Sequence, residues 1–228
     1  EDGMSETTAT APMMTITSIA PWYGGKRTLA PVIVQELGRH HGYFEPFCGG
    51  MSVLMAKPPC SHETVNDLHS DLINLARCLA DPRCGAQLHR RARRLLCHED
   101  LYREALTRLK AAPDFRGEAP DVERAVDYLL VAWMGRNGQA GLPITEKGQN
   151  VCVRWTPRGG SPSVRWQSVV DSLRGWSNRL RRVMILRRDA FEVLSRIADD
   201  EAVAIYVDPP YIDKSDRYVH DFDGHARP

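Results

Sequence analysis

At 228 residues with 43% hydrophobic content, the chain can bury one α/β core plus a modest inserted domain, and no segment is apolar for long enough to cross a membrane. Thirty Lys and Arg against 29 Asp and Glu leave a net charge of +1, so any binding of a polyanion must come from where the cations lie rather than from their sum. The six cysteines lack paired metal-ligand spacing, which points away from zinc or another bound metal and toward reduced thiols in a cytoplasmic protein. Residues 1–14 read as a flexible polar leader, with Glu1-Asp2-Gly3 ahead of Met4 resembling an expression remnant and no secretory signal.

The first patterned segment is Pro21-Trp22-Tyr23-Gly24-Gly25-Lys26-Arg27, a glycine turn feeding a helix signal in which Pro31 suits the first turn and Gly38 follows Val32, Ile33 and Leu37. Backbone N–H groups at such a turn, reinforced by the Lys26 ammonium, suit a carboxylate; a plain linker turn would use the same residues. Next, Tyr43-Phe44-Glu45-Pro46-Phe47-Cys48-Gly49-Gly50-Met51 reads as a short strand and a glycine turn, with a helix beginning near Ser52. It is not the dinucleotide fingerprint, since the third glycine is absent, and Cys48 reads as a small packing residue. About 20 residues on, Asn66-Asp67-Leu68 ends a second strand where open α/β folds place a ribose ligand. Asp67 suits ribose hydroxyls, and equally the cap of a helix carrying Leu68, Leu72, Leu75, Ala76 and Leu79.

Arginines then crowd the chain, first at Arg90, Arg91, Arg93 and Arg94 and later between Arg154 and Arg188. Many of these suit solvated helix faces. Between the two groups, Val122, Ala125, Val126, Leu129, Leu130 and Trp133 form the buried stripe of an amphipathic helix. A glycine-rich loop and a possible hairpin follow, bearing Arg136, Asn137, Gln139, Lys147, Arg154 and, further on, Arg165. These are donors suited to base edges or to phosphates. The strand-like Val183–Leu186 run leads to Arg188-Asp189-Ala190-Phe191, where Asp189 suits a helix cap ahead of Phe191, Leu194 and Ile197. Finally the apolar run 202–207, read as a buried strand, delivers Asp208-Pro209-Pro210-Tyr211. The prolines lack N–H donors, so the Asp208 carboxylate and an adjacent carbonyl can accept both hydrogens of an exocyclic NH2 while Tyr211 stacks on a flat ring. As an isolated tetrapeptide it reads as readily as a stiff turn.

Taken together and in this order, the four motifs resemble the Dam-like branch of the S-adenosylmethionine-dependent DNA adenine N6-methyltransferases. The resemblance covers most of the chain, is specific at the motifs and is weak through residues 81–180. It implies an α/β, Rossmann-like methyltransferase sheet, with a cofactor-binding part at 15–80, a mainly helical target-recognition insertion at 81–180, and a catalytic part at 181–228 that ends early, leaving out the C-terminal part of the sheet. It implies S-adenosylmethionine as cofactor, held by Trp22, Tyr23, Gly24, Gly25, Lys26, Glu45, Pro46, Phe47, Gly49, Gly50, Asp67, Leu68, Asp189, Ala190, Phe191 and Asp208, with Lys26 on the methionine carboxylate and Asp189 on the adenine amine. Asp208, Pro209, Pro210 and Tyr211 would act on a flipped-out adenine. Double-stranded DNA is the implied partner, with a monomer expected. Two departures stand out: Met51 replaces the usual last glycine of the cofactor loop, and Asn150-Val151-Cys152-Val153-Arg154 replaces the family's Asn-x-Pro-Phe-Gly, so GATC recognition does not carry over. Methylation of another exocyclic amine or of RNA, and a non-catalytic DNA-binding relative, are the alternatives.

Overall fold

The computed structural model describes residues 16–112, 115–135, 151–153 and 161–210. Four short strands, β1 (Gly42–Glu45), β2 (His62–Asn66), β3 (Met184–Leu186) and β4 (Val203–Ile205), form one sheet in the order β3-β2-β1-β4. All three pairings are parallel. Parallel neighbours require crossovers, and these bring every strand's carboxyl end to one edge. The chain runs outward from β1 through β2 to β3 and then returns to β4 on the other side of β1. The direction of winding therefore reverses between β1 and β4, which is where open α/β sheets form a ligand crevice.

Helix boundaries follow local chemistry. Helix α1 (Ala30–Leu37) carries Pro31 in its first turn and ends at Gly38 with φ 61°, as the sequence predicts. Helix α2 (Ser52–Ala56) is short and nearly all buried. Helix α3 (Ser70–Ala80) runs into α4 (Pro82–Ala92) through Asp81, whose Oδ1 accepts from the N–H groups of Arg83 at 2.9 Å and Cys84 at 2.7 Å. Helices α5 (Glu99–Ala111), α6 (Val122–Met134) and α7 (Pro162–Leu180) complete the helical segment, and α8 (Ala190–Leu194) links β3 to β4. The stripe expected on α6 is confirmed at Ala125, Val126, Leu129, Leu130 and Trp133, while Val122 is only partly buried. Helices α3 to α7 share a continuous core with the sheet: Leu88, Leu130 and Trp176 lie in one apolar cluster with Tyr43 and Val65.

Two indoles fasten the start of the described chain to this helical layer. Trp133 Nε1 donates to the Ile19 carbonyl at 3.1 Å and Trp176 Nε1 to that of Ile16 at 2.6 Å, and the two rings stack with centroids 6.2 Å apart. The segment is thereby led across the carboxyl edge of β1 and into the Trp22 turn.

One expectation needs correction. The 202–207 run is not a fully buried strand, because β4 lies at one end of the described strand order and leaves Ile205 and Val207 exposed, although Tyr206 N still donates to the Phe44 carbonyl at 2.9 Å. Helix α8 buries Ala190 and Val193.

Candidate active site

Each of the four strands delivers an acid to the carboxyl edge: Glu45 ends β1, Asp67 follows β2, Asp189 lies three residues past β3 and Asp208 three past β4. Asn66, 1% exposed, stitches three of these strand ends together. Its Nδ2 donates to the carbonyls of Pro46 at 3.0 Å and Arg188 at 2.9 Å, and its Oδ1 accepts from Arg188 N at 2.9 Å. Its importance is not legible locally, since both partners are distant in sequence.

The two strands at the winding reversal, β1 and β4, carry Glu45 and Asp208. Lys26 reaches across from the N-terminal turn, placing Nζ 2.8 Å from Asp208 Oδ1 and 2.5 Å from Oδ2, and it also donates to the Gly24 carbonyl at 3.0 Å. The two side chains are 19% and 24% exposed. The residue expected on a cofactor carboxylate is therefore paired here with the acid expected on a substrate amine. Gly24, with φ 72°, makes the turn that aims Lys26, and the Gly25 N–H closes it onto the Trp22 carbonyl at 3.0 Å.

Burial pushes the Glu45 carboxyl up to about 8, with the Asp208 and Asp67 charges adding to the rise and bonds from Tyr43 and Leu54 opposing it. Glu45 therefore holds a proton near neutral pH, and Tyr43 Oη donates to its Oε2 at 3.0 Å. Burial also pushes the Tyr43 phenol and the Cys48 thiol up, so Cys48 stays a packing residue as expected.

The glycine loop serves chain crossing as much as ligand approach. A Cβ on Gly49 would meet the Trp22 ring at 2.7 Å, and one on Gly50 would meet the Ala20 carbonyl and Ser18 Oγ at 2.5 Å. Trp22 thus packs on the loop, and its ring lies nearly perpendicular to that of His69, with centroids 5.4 Å apart. Met51 keeps the left-handed conformation, φ 60° and ψ 34°, that a glycine would adopt without strain, and its side chain is fully buried. The substitution preserves the turn and adds core packing.

Asp67 Oδ2 accepts from Gly49 N at 2.9 Å and Oδ1 from His69 N at 3.0 Å. The helix-cap alternative for Asp67 is overturned, because the α3 N-cap is His69, whose Nδ1 accepts from Leu72 N at 3.2 Å. Leu68 lies outside that helix and is 39% exposed. Asp189 caps α8 through Oδ1, which accepts from the N–H groups of Phe191 at 2.9 Å and Glu192 at 3.1 Å, leaving Oδ2 outside those bonds. Ala190 is buried and Phe191 is 49% exposed. Arg165, at the start of α7, donates to the Gly135 carbonyl at 3.4 Å, beside the antiparallel bridge between Gly135 and Val151. Tyr211, Arg136, Asn137, Gln139, Lys147 and Arg154 lie outside the described residues.

These groups fit an adenosine-bearing sulfonium cofactor by donor type. Ribose hydroxyls and an adenine amine are hydrogen donors, a sulfonium is a cation, and the edge presents carboxylates and carbonyls. Among the described residues, no group of three or more His, Cys, Asp and Glu is placed to hold a metal, and no helix is long and apolar enough to cross a membrane.

A family model described as D12 class N6 adenine-specific DNA methyltransferase matches residues 22–227. The chain is also similar to the Type II methyltransferase M1.LlaDCHI of Lactococcus lactis subsp. cremoris, with 28% identity over 201 residues, 86% of this chain. It spans 66% of that relative's length.

Proposed function

We propose, from the premise that this chain belongs to the D12 class N6 adenine-specific DNA methyltransferase family, that it transfers a methyl group from S-adenosylmethionine to the N6 amine of adenine in DNA. The observation that carries the reading is the Lys26–Asp208 pair beside the winding reversal. A nitrogen donor already sits within 2.5 to 2.8 Å of both carboxylate oxygens, where an exocyclic amine would bind.

S-adenosylmethionine, when bound, supplies an electrophilic methyl on sulfur. The chain's own groups do the rest. Asp67 holds the ribose hydroxyls with lone pairs not used by Gly49 and His69, and Asp189 accepts the cofactor's adenine amine through Oδ2. Trp22, Tyr23, Gly24, Gly25, Pro46, Phe47 and Gly50 shape the wall, with Leu68, Ala190 and Phe191 at its far side. Lys26 leaves Asp208 for the cofactor carboxylate, exchanging one charged acceptor for another.

Asp208 and the Pro209 carbonyl then accept the two amine hydrogens of a flipped-out adenine. They orient the nitrogen lone pair and stabilise positive charge as the new bond forms. The amine becomes acidic only as it is alkylated, so Asp208 takes its proton late. Tyr211 stacks on the base. Residues 81–180 serve as the target-recognition insertion, in which Arg136, Asn137, Gln139, Lys147, Arg154 and Arg165 contact DNA.

Incubation with methyl-labelled S-adenosylmethionine and unmethylated genomic DNA, followed by digestion to nucleosides, tests this. The expected product is labelled N6-methyladenine. Label confined to cytosine or to RNA, or none despite measured cofactor binding, would overturn it.

A further inference from the structure

Helices α4 and α7 approach closely where Gly85 faces Ser177: a Cβ on Gly85 would meet Ser177 Oγ at 3.0 Å, and Ser177 Oγ donates to the Leu79 carbonyl at 2.6 Å. Along this contact the two helices line a groove of about 630 Å³ walled by Arg90, Arg93 and Arg94 on one side and Arg174 and Arg181 on the other, with His89 also lining it. All five arginines are exposed, and none forms an ion pair with a described residue. The acid that acts on His89 is Asp171, whose Oδ1 accepts from Gln167 Nε2 at 2.9 Å. Burial pushes the His89 imidazole down, and Arg174 and Arg93 push it the same way, as a concentrated positive potential requires. In a chain of net charge +1, this density of guanidinium is local.

The groove has a definite place in the fold. Arg179, two residues beyond Ser177, bonds Glu63 near the start of β2, so the Arg181 end lies at the amino edge of the sheet, opposite the crevice. The Arg94 end reaches Leu95, whose carbonyl accepts from Trp166 Nε1 at 3.2 Å, next to Arg165 and the Gly135 carbonyl. The groove thus runs back from the neighbourhood of the Gly135–Val151 bridge. Along α7, Arg174 and Arg181 are separated by about 10 Å, or roughly three nucleotides of rise in one strand. Two facing walls of bidentate donors match a linear polyanion better than a single small anion, which would neutralise only one or two of them.

We infer that the α4–α7 groove is a second DNA-contact site, holding the phosphodiester backbone of duplex that extends past the target. This rests on DNA being the substrate. The crevice takes the target adenine, and the groove lengthens the footprint without reading sequence.

The test is fluorescence anisotropy of the full chain with a duplex of about 30 base pairs and one of about 12, across a salt series. The variants are Arg90→Gln/Arg93→Gln/Arg174→Gln and a charge-matched control, Arg103→Gln/Lys110→Gln/Arg196→Gln. The groove variant should lose at least about tenfold in affinity for the long duplex, with the log–log salt slope reduced by about 2 to 3, and change little with the short one. The control should keep both. Unaltered melting and S-adenosylmethionine binding establish that the groove variant is folded. Equal losses in the control, or no loss in the folded groove variant, would overturn the site. A chain that methylates adenine while the groove variant binds normally sinks this inference alone; a groove effect without methyl transfer sinks the proposed function alone.

Discussion

Two lysine–carboxylate pairs stand at opposite edges of the same sheet, and their surroundings differ. At the amino edge Lys57 Nζ lies 2.6 Å from Glu63 Oε1, Arg179 makes two further bonds to the same carboxylate, and the Lys57 and Glu63 side chains are each 1% exposed. Burial works to raise the Glu63 carboxyl, but Arg179 and Lys57 overcome it and hold it below the usual carboxylate range. At the carboxyl edge the Lys26–Asp208 pair is reached by water on both sides. A closed carboxylate held by two cations fixes helix to strand; a partly exposed pair can exchange partners at little cost. The same chemistry serves as a rivet at one edge and as a releasable contact at the other.

Breaking the rivet should have the largest effect on stability. Arg179→Leu leaves Glu63 buried with one cation and removes the bond to the Leu54 carbonyl, so chemical unfolding should show a loss of about 3 to 5 kcal/mol. Met51→Gly should cost about 2 kcal/mol, because losing a fully buried side chain outweighs the relief of about 1 to 2 kcal/mol of left-handed strain. An increase in stability would show that the loop strain dominates. On the releasable side, Lys26→Gln should weaken S-adenosylmethionine binding about tenfold, measured by calorimetry, while leaving melting within a few degrees of the parent. Unchanged affinity would mean that Lys26 never leaves Asp208.

A separate effect is one of pH. Glu45 is raised by burial from 4.5 to about 8, so its contribution to stability is complete below about 4.5 and is lost as pH rises through about 8. Glu45→Gln keeps a neutral hydrogen-bonding group and removes the titration. Melting temperatures from pH 5 to 8.5 should fall in the parent and fall less in the variant.

How much of this was legible in the sequence depended on the range of the interaction. Local signals carried far: Pro31 and Gly38 bounded α1, and the short segments read as strands before the glycine loop, Asp67 and Asp189 became strands β1 to β3. The caps were less legible, since imidazole rings at His69 and His98 perform a task usually assigned to Ser, Thr, Asp or Asn. Interactions across the fold were not legible at all. Nothing near Asn66 announces Pro46 and Arg188, nothing near Lys26 announces Asp208, and the arginine run of α4 reads as a solvated face until α7 brings Arg174 and Arg181 alongside it.

The central claim is that Asp208 acts on the adenine amine once Lys26 has left it. Single-turnover methyl transfer by the cofactor-saturated chain, compared with Asp208→Asn, tests it most directly. The account predicts a rate lower by about 10³-fold in the variant, with S-adenosylmethionine affinity within about threefold of the parent. A variant that methylates adenine within tenfold of the parent rate would contradict it.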